Sequence, residues 1–259
     1  MSDVQLTRRG AVATLTLDRA DRRNALDPGL LEALAEAVGA AASDDDVRVL
    51  VITGAGSAFS AGADLAWMQA SRDLADERNR ADAHAMAAAF ETVDDCPKAV
   101  VARVNGPAIG GGAGLVACAD VAVAVESARF AFAEVRLGLL PAVVSPYVLR
   151  AIGPGRGREL FTSGRTFDAR DAERFGLVHR VVAQADLDAA VDEAVRSFLA
   201  CGPEAVAANK RLVRDATASL ALPDLADRIA EARASPEGQE GIAAFLEKRR
   251  PRWLSSSDS

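Results

Sequence analysis

Three consecutive glycines, Gly110 to Gly112, lie within NGPAIGGGAGLVACAD, residues 105–120, and no other stretch limits the folding of this chain as tightly. An apolar, strand-like run, AVVARV (Ala99–Val104), leads into them. A small-residue segment with helical character leads out toward Asp120. Glycines where a strand hands over to a helix let the backbone adopt conformations that a Cβ forbids. They also leave N–H groups at a helix N-terminus facing open space, where their partial positive charge binds anions and oxyanions without any side chain. The stretch reads either as one half of an oxyanion hole or as a tight turn whose glycines serve packing alone.

The same pattern occurs earlier. Val47 to Thr53 (VRVLVIT) is a nearly continuous apolar run, as in a sheet covered on both faces, and it opens into GAGSAFSAGADL, residues 54–65. Two strands thus each lead into a glycine- and alanine-rich turn. In open α/β sheets, ligands sit beyond the carboxyl ends of the strands. One backbone N–H from each turn would serve the oxyanion of an ester or thioester. Neither loop fits GxxxxGK[ST] or GxGxxG, so the phosphate-loop and dinucleotide readings carry little weight.

Around these turns the chain reads as α/β. Val12–Leu17 alternates apolar and polar residues as a strand does, and Asp27-Pro28 starts a helix with Leu30, Leu31, Leu34, Ala37 and Val38 at helical spacing. This βαβ order predicts parallel pairing. Residues 70–95 read as one or two helices, and Val121–Ala124 and Arg129–Phe132 as short strands. A helix is expected from about Val143 to Ile152, another over Asp168–Phe175, and a strand over Val178–Val182. From Ala185 to about Arg250 the pattern is helical, broken at Gly202-Pro203 and Ser235-Pro236. The expected organisation is an α/β core over residues 1–196 and a helical region over 197–259, with a disordered serine-rich tail after Leu254.

A chain of 259 residues can bury one large core, and its net charge of −7 argues against a nucleic-acid partner. Cys96, Cys118 and Cys201 show no metal spacing, and their odd number fits a reducing compartment. Two histidines, His84 and His179, cannot build a multi-histidine metal site. The N-terminus lacks the apolar core of a signal peptide, and no apolar run reaches a membrane span. The expectation is a cytoplasmic protein with neither a metal nor a membrane partner.

With Glu134 included, the chain resembles the enoyl-CoA hydratase/isomerase (crotonase) family. FSAGADL at 59–65, NGPAIGGGAGL at 105–115, ARFAFAEVRLGLLP at 128–141 and GIAAFLEKRRP at 241–251 are characteristic and occur in the expected order. The resemblance implies a spiral of ββα units, with C-terminal helices that build a homotrimer or a dimer of trimers. It implies an acyl-CoA substrate, so that coenzyme A enters as part of the substrate and no separate cofactor is needed. By position, the oxyanion hole would be the backbone N–H groups of Ala63 and Gly111, and Glu134 the general acid/base. CoA contacts are implied for Arg22, Arg23, Ala25, Ala61, Asp64 and Leu65, for Gly110 and Pro141, and for Phe245 and Lys248, the last two often from a neighbouring subunit.

Two departures qualify the resemblance. Typical two-glutamate hydratases carry a second glutamate where this chain has Gly114, and a glycine-rich run where it has PAVVSPYV. Both features, and the tryptophan in ADLAWM, resemble the bacterial methylglutaconyl-CoA hydratase-like branch. The implied activity is hydration of a 2-enoyl-CoA, on a branched dicarboxylic acyl group in that branch, with water oriented by Ser145, Tyr147 or the substrate's own carboxylate. The alternative within the family is Δ3,Δ2-enoyl-CoA isomerisation, for which Glu134 alone suffices. Outside it stand a non-catalytic CoA- or RNA-binding role and a serine hydrolase with Ser60 in AFSAG as nucleophile and His179 as its partner.

Overall fold

The computed structural model describes residues 3–70, 75–217 and 235–253. Six strands form the main sheet: β1 (Val4–Arg9), β2 (Val12–Leu17), β3 (Val49–Gly54), β4 (Ala99–Val104), β6 (Val121–Val125) and β9 (Arg180–Val182), in the order β1-β2-β3-β4-β6-β9. Only the β1–β2 hairpin pairs antiparallel; every later pair in this sheet is parallel. Strand β3 is buried along its whole length and β4 nearly so, which accounts for their unbroken apolar sequences. A second sheet of three short strands has the order β5 (Ala108–Ile109), β7 (Arg129–Ala131), β8 (Phe167–Asp168).

Helices cover the sheet. α1 (Pro28–Ser43) starts where Asp27 Oδ1 accepts the Leu30 N–H at 2.9 Å, and it buries Leu30, Leu31, Leu34 and Val38. α1 packs on β1, β2 and α3 (Asp76–Asp94); α2 is the short Leu65–Ala70. α4 (Gly111–Cys118) carries small residues and is buried from Gly112 onward between α3, α5, β4 and β5. α5 spans Ser145–Ser163, with a break at Gly153 (φ +72) before Pro154. The sequence shows its first half alone, because Gly-Pro reads as a stop. α6 (Ala169–Phe175) is capped by Asp168 as expected, and α7 (Leu187–Leu199) packs on β3, β4 and β6. Residue 196, the boundary expected between the α/β core and the helical region, lies within α7. α8 (Pro203–Thr217) and α9 (Pro236–Glu247) begin at the two prolines that mark the breaks. The tail after Leu254 lies outside the described residues.

Aromatic packing ties the small sheet to the helices beneath it. Phe130 and Phe132 are fully buried, Phe132 meeting Phe161 of α5 edge-on at 5.1 Å and Phe130 stacking on Phe167 at 5.7 Å. This cluster anchors the chain two residues before Glu134.

Candidate active site

Strands β3 and β4 hand over to two turns that interlock. Phe59 and Ser60 donate their N–H groups to Pro107 O at 3.0 and 3.1 Å, and Ile109 N–H donates to Ser60 O at 3.0 Å. Asn105 bridges the same turns, accepting from Gly54 N–H at 3.2 Å and donating to Gly56 O at 3.0 Å. The fit leaves no room for a Cβ at Gly62: one placed there would lie 2.7 Å from Ile109 O, and its φ of +86° is itself a glycine conformation.

A third segment, Arg19 to Asp27, zips onto this pair. Ala61 N–H donates to Arg23 O at 2.9 Å, Leu26 N–H to Gly62 O at 2.7 Å, and Asp64 N–H to Leu26 O at 2.8 Å. Asn24, wholly buried with φ +55°, donates to Ala55 O and Ala58 O and accepts from Arg19 N–H. The parallel bridge between Leu26 and Ala63 uses Gly62 O and Asp64 N–H, on either side of Ala63, and leaves Ala63 N–H itself without a hydrogen bond among the described residues. Gly111, the first residue of α4, likewise has no acceptor for its N–H among them. Leu26 adjoins both positions: it is bridged to Ala63, and its Cδ1 would lie 2.8 Å from a Cβ at Gly111. Three turns therefore bring two free backbone donors to one place.

Glu134 opens a single 3-10 turn, Glu134–Leu137, directly after the buried Phe132. Gly110, with φ +51°, passes so close that a Cβ there would sit 2.9 Å from Glu134 Oε1. Glu134 Oε2 is buried without a hydrogen-bond partner among the described residues. Burial raises the pKa of this carboxyl above its usual value, and the hydrogen bond from its own backbone N–H offsets only part of that shift. Residues flanking the site in sequence are apolar and exposed, Leu65 at 81% and Leu140 at 72%.

Gly114 is a matter of packing. A Cβ there would lie 2.7 Å from Val144 Cβ and 3.2 Å from Phe90 Cε1, and Val144 is itself buried. The space a second carboxylate would need is filled by a β-branched side chain from the residue before α5. Ser145 Oγ donates to Ala142 O at 2.8 Å. Tyr147 stacks on Phe90, and its pKa is raised to about 12 by burial and then by Cys118, Asp94, Glu91 and Asp95, which mark the far ends of α3 and α4.

Most of the residues expected to touch CoA do gather beside Ala63. Arg22 and Arg23 are exposed, Ala25 and Ala61 line the zipped segments, and Leu65 projects into solvent. Gly110 is buried against Glu134 in space, and Pro141 is buried shortly after the Glu134–Leu137 turn in sequence. Asp64 differs from expectation in its side chain, which is turned inward. Its Oδ1 accepts from Ala66 N–H at 2.8 Å and Trp67 N–H at 3.3 Å, and its Oδ2 lies 3.2 Å from both Arg19 and Arg22. Burial pushes its pKa up, but the Trp67 and Ala66 N–H groups, the Arg22 hydrogen bond and the Arg19 charge outweigh that and hold it below the usual value. Only its backbone remains for a ligand. The side chain of Phe245 lies outside the described residues; Lys248 is exposed beyond α9, a helix that packs on α8. Ser60 is closed as a nucleophile: it is wholly buried and its Oγ donates to Asn24 O at 2.8 Å. His179 lies elsewhere, on a cleft of about 540 Å³ at the other end of α4. Arg19 and Val144 escaped the sequence reading, Arg19 within a polar connection and Val144 within an apolar run, neither with a distinguishing pattern.

A mostly parallel sheet, two interlocked turns beyond its strands, two backbone N–H groups without acceptors among the described residues and one half-buried carboxylate together define an α/β protein with its polar groups gathered beyond the strand ends. The chain belongs to the enoyl-CoA hydratase/isomerase family, whose model matches residues 7–256. It is 36% identical over 258 residues to the 2,3-dehydroadipyl-CoA hydratase of Escherichia coli, covering 97% of this chain and 98% of that one. It is 33% identical over 260 residues to the crotonyl-CoA hydratase of Syntrophomonas wolfei, covering 98% of each. A crystal structure of an enoyl-CoA hydratase from Shewanella pealeana superposes with a TM-score of 0.93 at 37% identity, covering 97% of this chain and 96% of that one. The crotonase fold expected from the motifs is thus present. No helix among the described residues is long and apolar enough to cross a membrane.

Proposed function

We propose that the protein is an enoyl-CoA hydratase that adds water across the double bond of a 2-enoyl-CoA thioester. Glu134 carries the reading: its pKa is raised, its Oε2 has no partner, and its Oε1 lies against the backbone one residue before the free Gly111 N–H. In this mechanism the thioester oxygen sits between the N–H groups of Ala63 and Gly111. Glu134 takes a proton from water as the water oxygen bonds to the acyl Cβ. The electron pair of the double bond moves toward the thioester oxygen, and the two N–H groups and the N-terminus of α4 stabilise the enolate. Glu134 then returns the proton to Cα, the carbonyl re-forms, and the carboxylate ends as it began. Each backbone donor of this kind is worth roughly 10²–10³ in rate.

CoA would lie along Arg22, Arg23, Ala25 and Ala61, with Leu65 beside the adenine and Pro141 by the acyl group. In a homotrimer or a dimer of trimers, α9 of a neighbouring copy would bring Phe245 and Lys248 to the same molecule. The acyl group we propose is a branched dicarboxylic one of the methylglutaconyl kind. Its support is the motif resemblance together with a relative named for a dicarboxylic acyl-CoA.

One observation favours a second reading. Val144 fills the space beside Gly114, so a second carboxylate has no place at that position, and a single carboxylate is enough to move a proton between two carbons in Δ3,Δ2-enoyl-CoA isomerisation. Purified protein incubated separately with 3-methylglutaconyl-CoA, crotonyl-CoA and a 3-enoyl-CoA separates the two by mass spectrometry. Gain of the mass of water supports the hydratase, and double-bond migration at constant mass the isomerase. CoA binding without turnover of any of the three would leave a non-catalytic member of the family.

A further inference from the structure

Arg19 is 8% exposed and is not itself among the residues expected to touch a ligand, although it holds two that are, Ala25 and Asp64. Its guanidinium makes contacts in several directions. Nη1 donates to Asp27 Oδ2 at 2.7 Å and to Ala25 O at 3.0 Å, Nη2 donates to Asp64 Oδ2 at 3.2 Å, and Nε lies 3.5 Å from Asp3 Oδ2. Two of the carboxylates it holds are also helix caps: Asp27 caps α1, and Asp64 receives the first N–H groups of α2. Only a planar fork with several fixed donors can reach two carboxylates and a carbonyl at once; a lysine ammonium cannot.

Asp64 directly follows Ala63 in the chain. The peptide joining them points its N–H at Leu26 O, and the preceding peptide is the one that presents Ala63 N–H to the site. Arg19 thus fixes Asp64 from the side chain while Leu26 fixes it from the backbone. Between them they set the direction in which Ala63 N–H points.

We propose that Arg19 is a positioning residue for the Ala63 donor, acting through Asp64 and without touching substrate. This rests on the reading of Ala63 and Gly111 as an oxyanion site. The contribution of such a donor falls steeply with misplacement: about 1 Å can cost on the order of 10²-fold in rate. CoA recognition along the exposed face of residues 22–25 does not depend on that direction to the same degree.

The test uses a spectroscopic signature that needs no turnover. A chromophoric enoyl thioester, 4-dimethylaminocinnamoyl-CoA, shifts its absorption to the red when hydrogen-bond donors polarise its carbonyl. Wild-type protein is expected to produce the shift. Arg19→Gln is expected to lose most of it and to lower kcat on the active acyl-CoA about 10- to 100-fold, with CoA affinity changed less than about threefold. Arg19→Lys, which restores the charge but not the fork, should recover only part of the shift. If Arg19→Gln does not fold, Asp64→Asn makes the same measurement, since it removes the charge that Arg19 holds and keeps an oxygen for the Ala66 and Trp67 N–H groups. A full red shift with undiminished kcat in the folded variant would overturn the proposal. So would a loss of shift, CoA affinity and melting temperature in equal step, which marks a purely structural arginine. Absence of the shift in wild-type protein would instead overturn the oxyanion-site reading on which the proposal stands.

Discussion

A carboxylate with one oxygen shut away from every donor is held in place by its surroundings at some expense to stability. Glu134 is such a group: its folded-state pKa lies above the usual 4.5 because burial disfavours the charge. The linked stability is complete below the unfolded-state value and is lost as pH rises through the raised folded-state value. At neutral pH the ionised side chain therefore opposes folding. Glu134→Gln removes that opposition and the proton carrier together. It should lower kcat by about 10²–10⁴-fold while raising the thermal midpoint at neutral pH, both measured on the same preparation. In the wild type, kcat/KM should rise with pH through the raised value of the free enzyme and then level off, because the reaction starts from the carboxylate. A variant that kept its rate would remove Glu134 from the chemistry.

Among elements, the decisive contact is between α4 and the residue that precedes α5. Gly114 and Val144 are matched in size, the one having no side chain because the other fills its place. Gly114→Glu by itself should destabilise the protein by about 1–3 kcal/mol from overpacking alone, read as a lower urea midpoint. Pairing it with Val144→Gly should recover much of the loss by returning the space. Equal stability of Gly114→Glu and wild type would show that the two helices part easily there. The motif at residues 105–115 announced the α4 end of this contact. The Val144 end was invisible, because one valine in an apolar run reads like its neighbours.

At the scale of the whole molecule, the chain holds its far edge together through a neutral histidine. His179 donates its backbone N–H to Ala122 O at 2.9 Å and accepts the Ala122 N–H on Nδ1 at 3.0 Å, just before β9 joins the sheet. Burial lowers its pKa below 6.5, and the nearby Asp120 charge offsets part of that. A lowered value contributes stability that is present above the unfolded-state pKa of about 6.5 and is lost as pH falls through the lower folded-state one. Urea midpoints should therefore stay level above neutrality and fall as the solution becomes mildly acidic. In His179→Gln that part of the fall should be absent; an unchanged profile in the variant would assign the acid sensitivity to other groups.

Sequence alone determined the elements and the order in which they come. Apolar continuity marked β3 and β4, Asp27-Pro28 and Asp168 marked helix starts, and glycine clusters marked the two turns, because each of these is a local preference of the backbone or of one face. The family resemblance of its motifs, rather than these local signals, pointed to Glu134 and to the Ala63 and Gly111 N–H groups along the chain. Tertiary structure decided what those residues have around them. Three turns distant in sequence had to zip together before two N–H groups were left without acceptors. Asp64 turned inward only because Arg19, forty-five residues away, sits behind it. The place beside Gly114 was filled by Val144, the residue just before α5. Burial, and with it the shifted carboxyl and the fixed direction of a peptide, is a property of neighbours, and a sequence does not name its neighbours until it is folded.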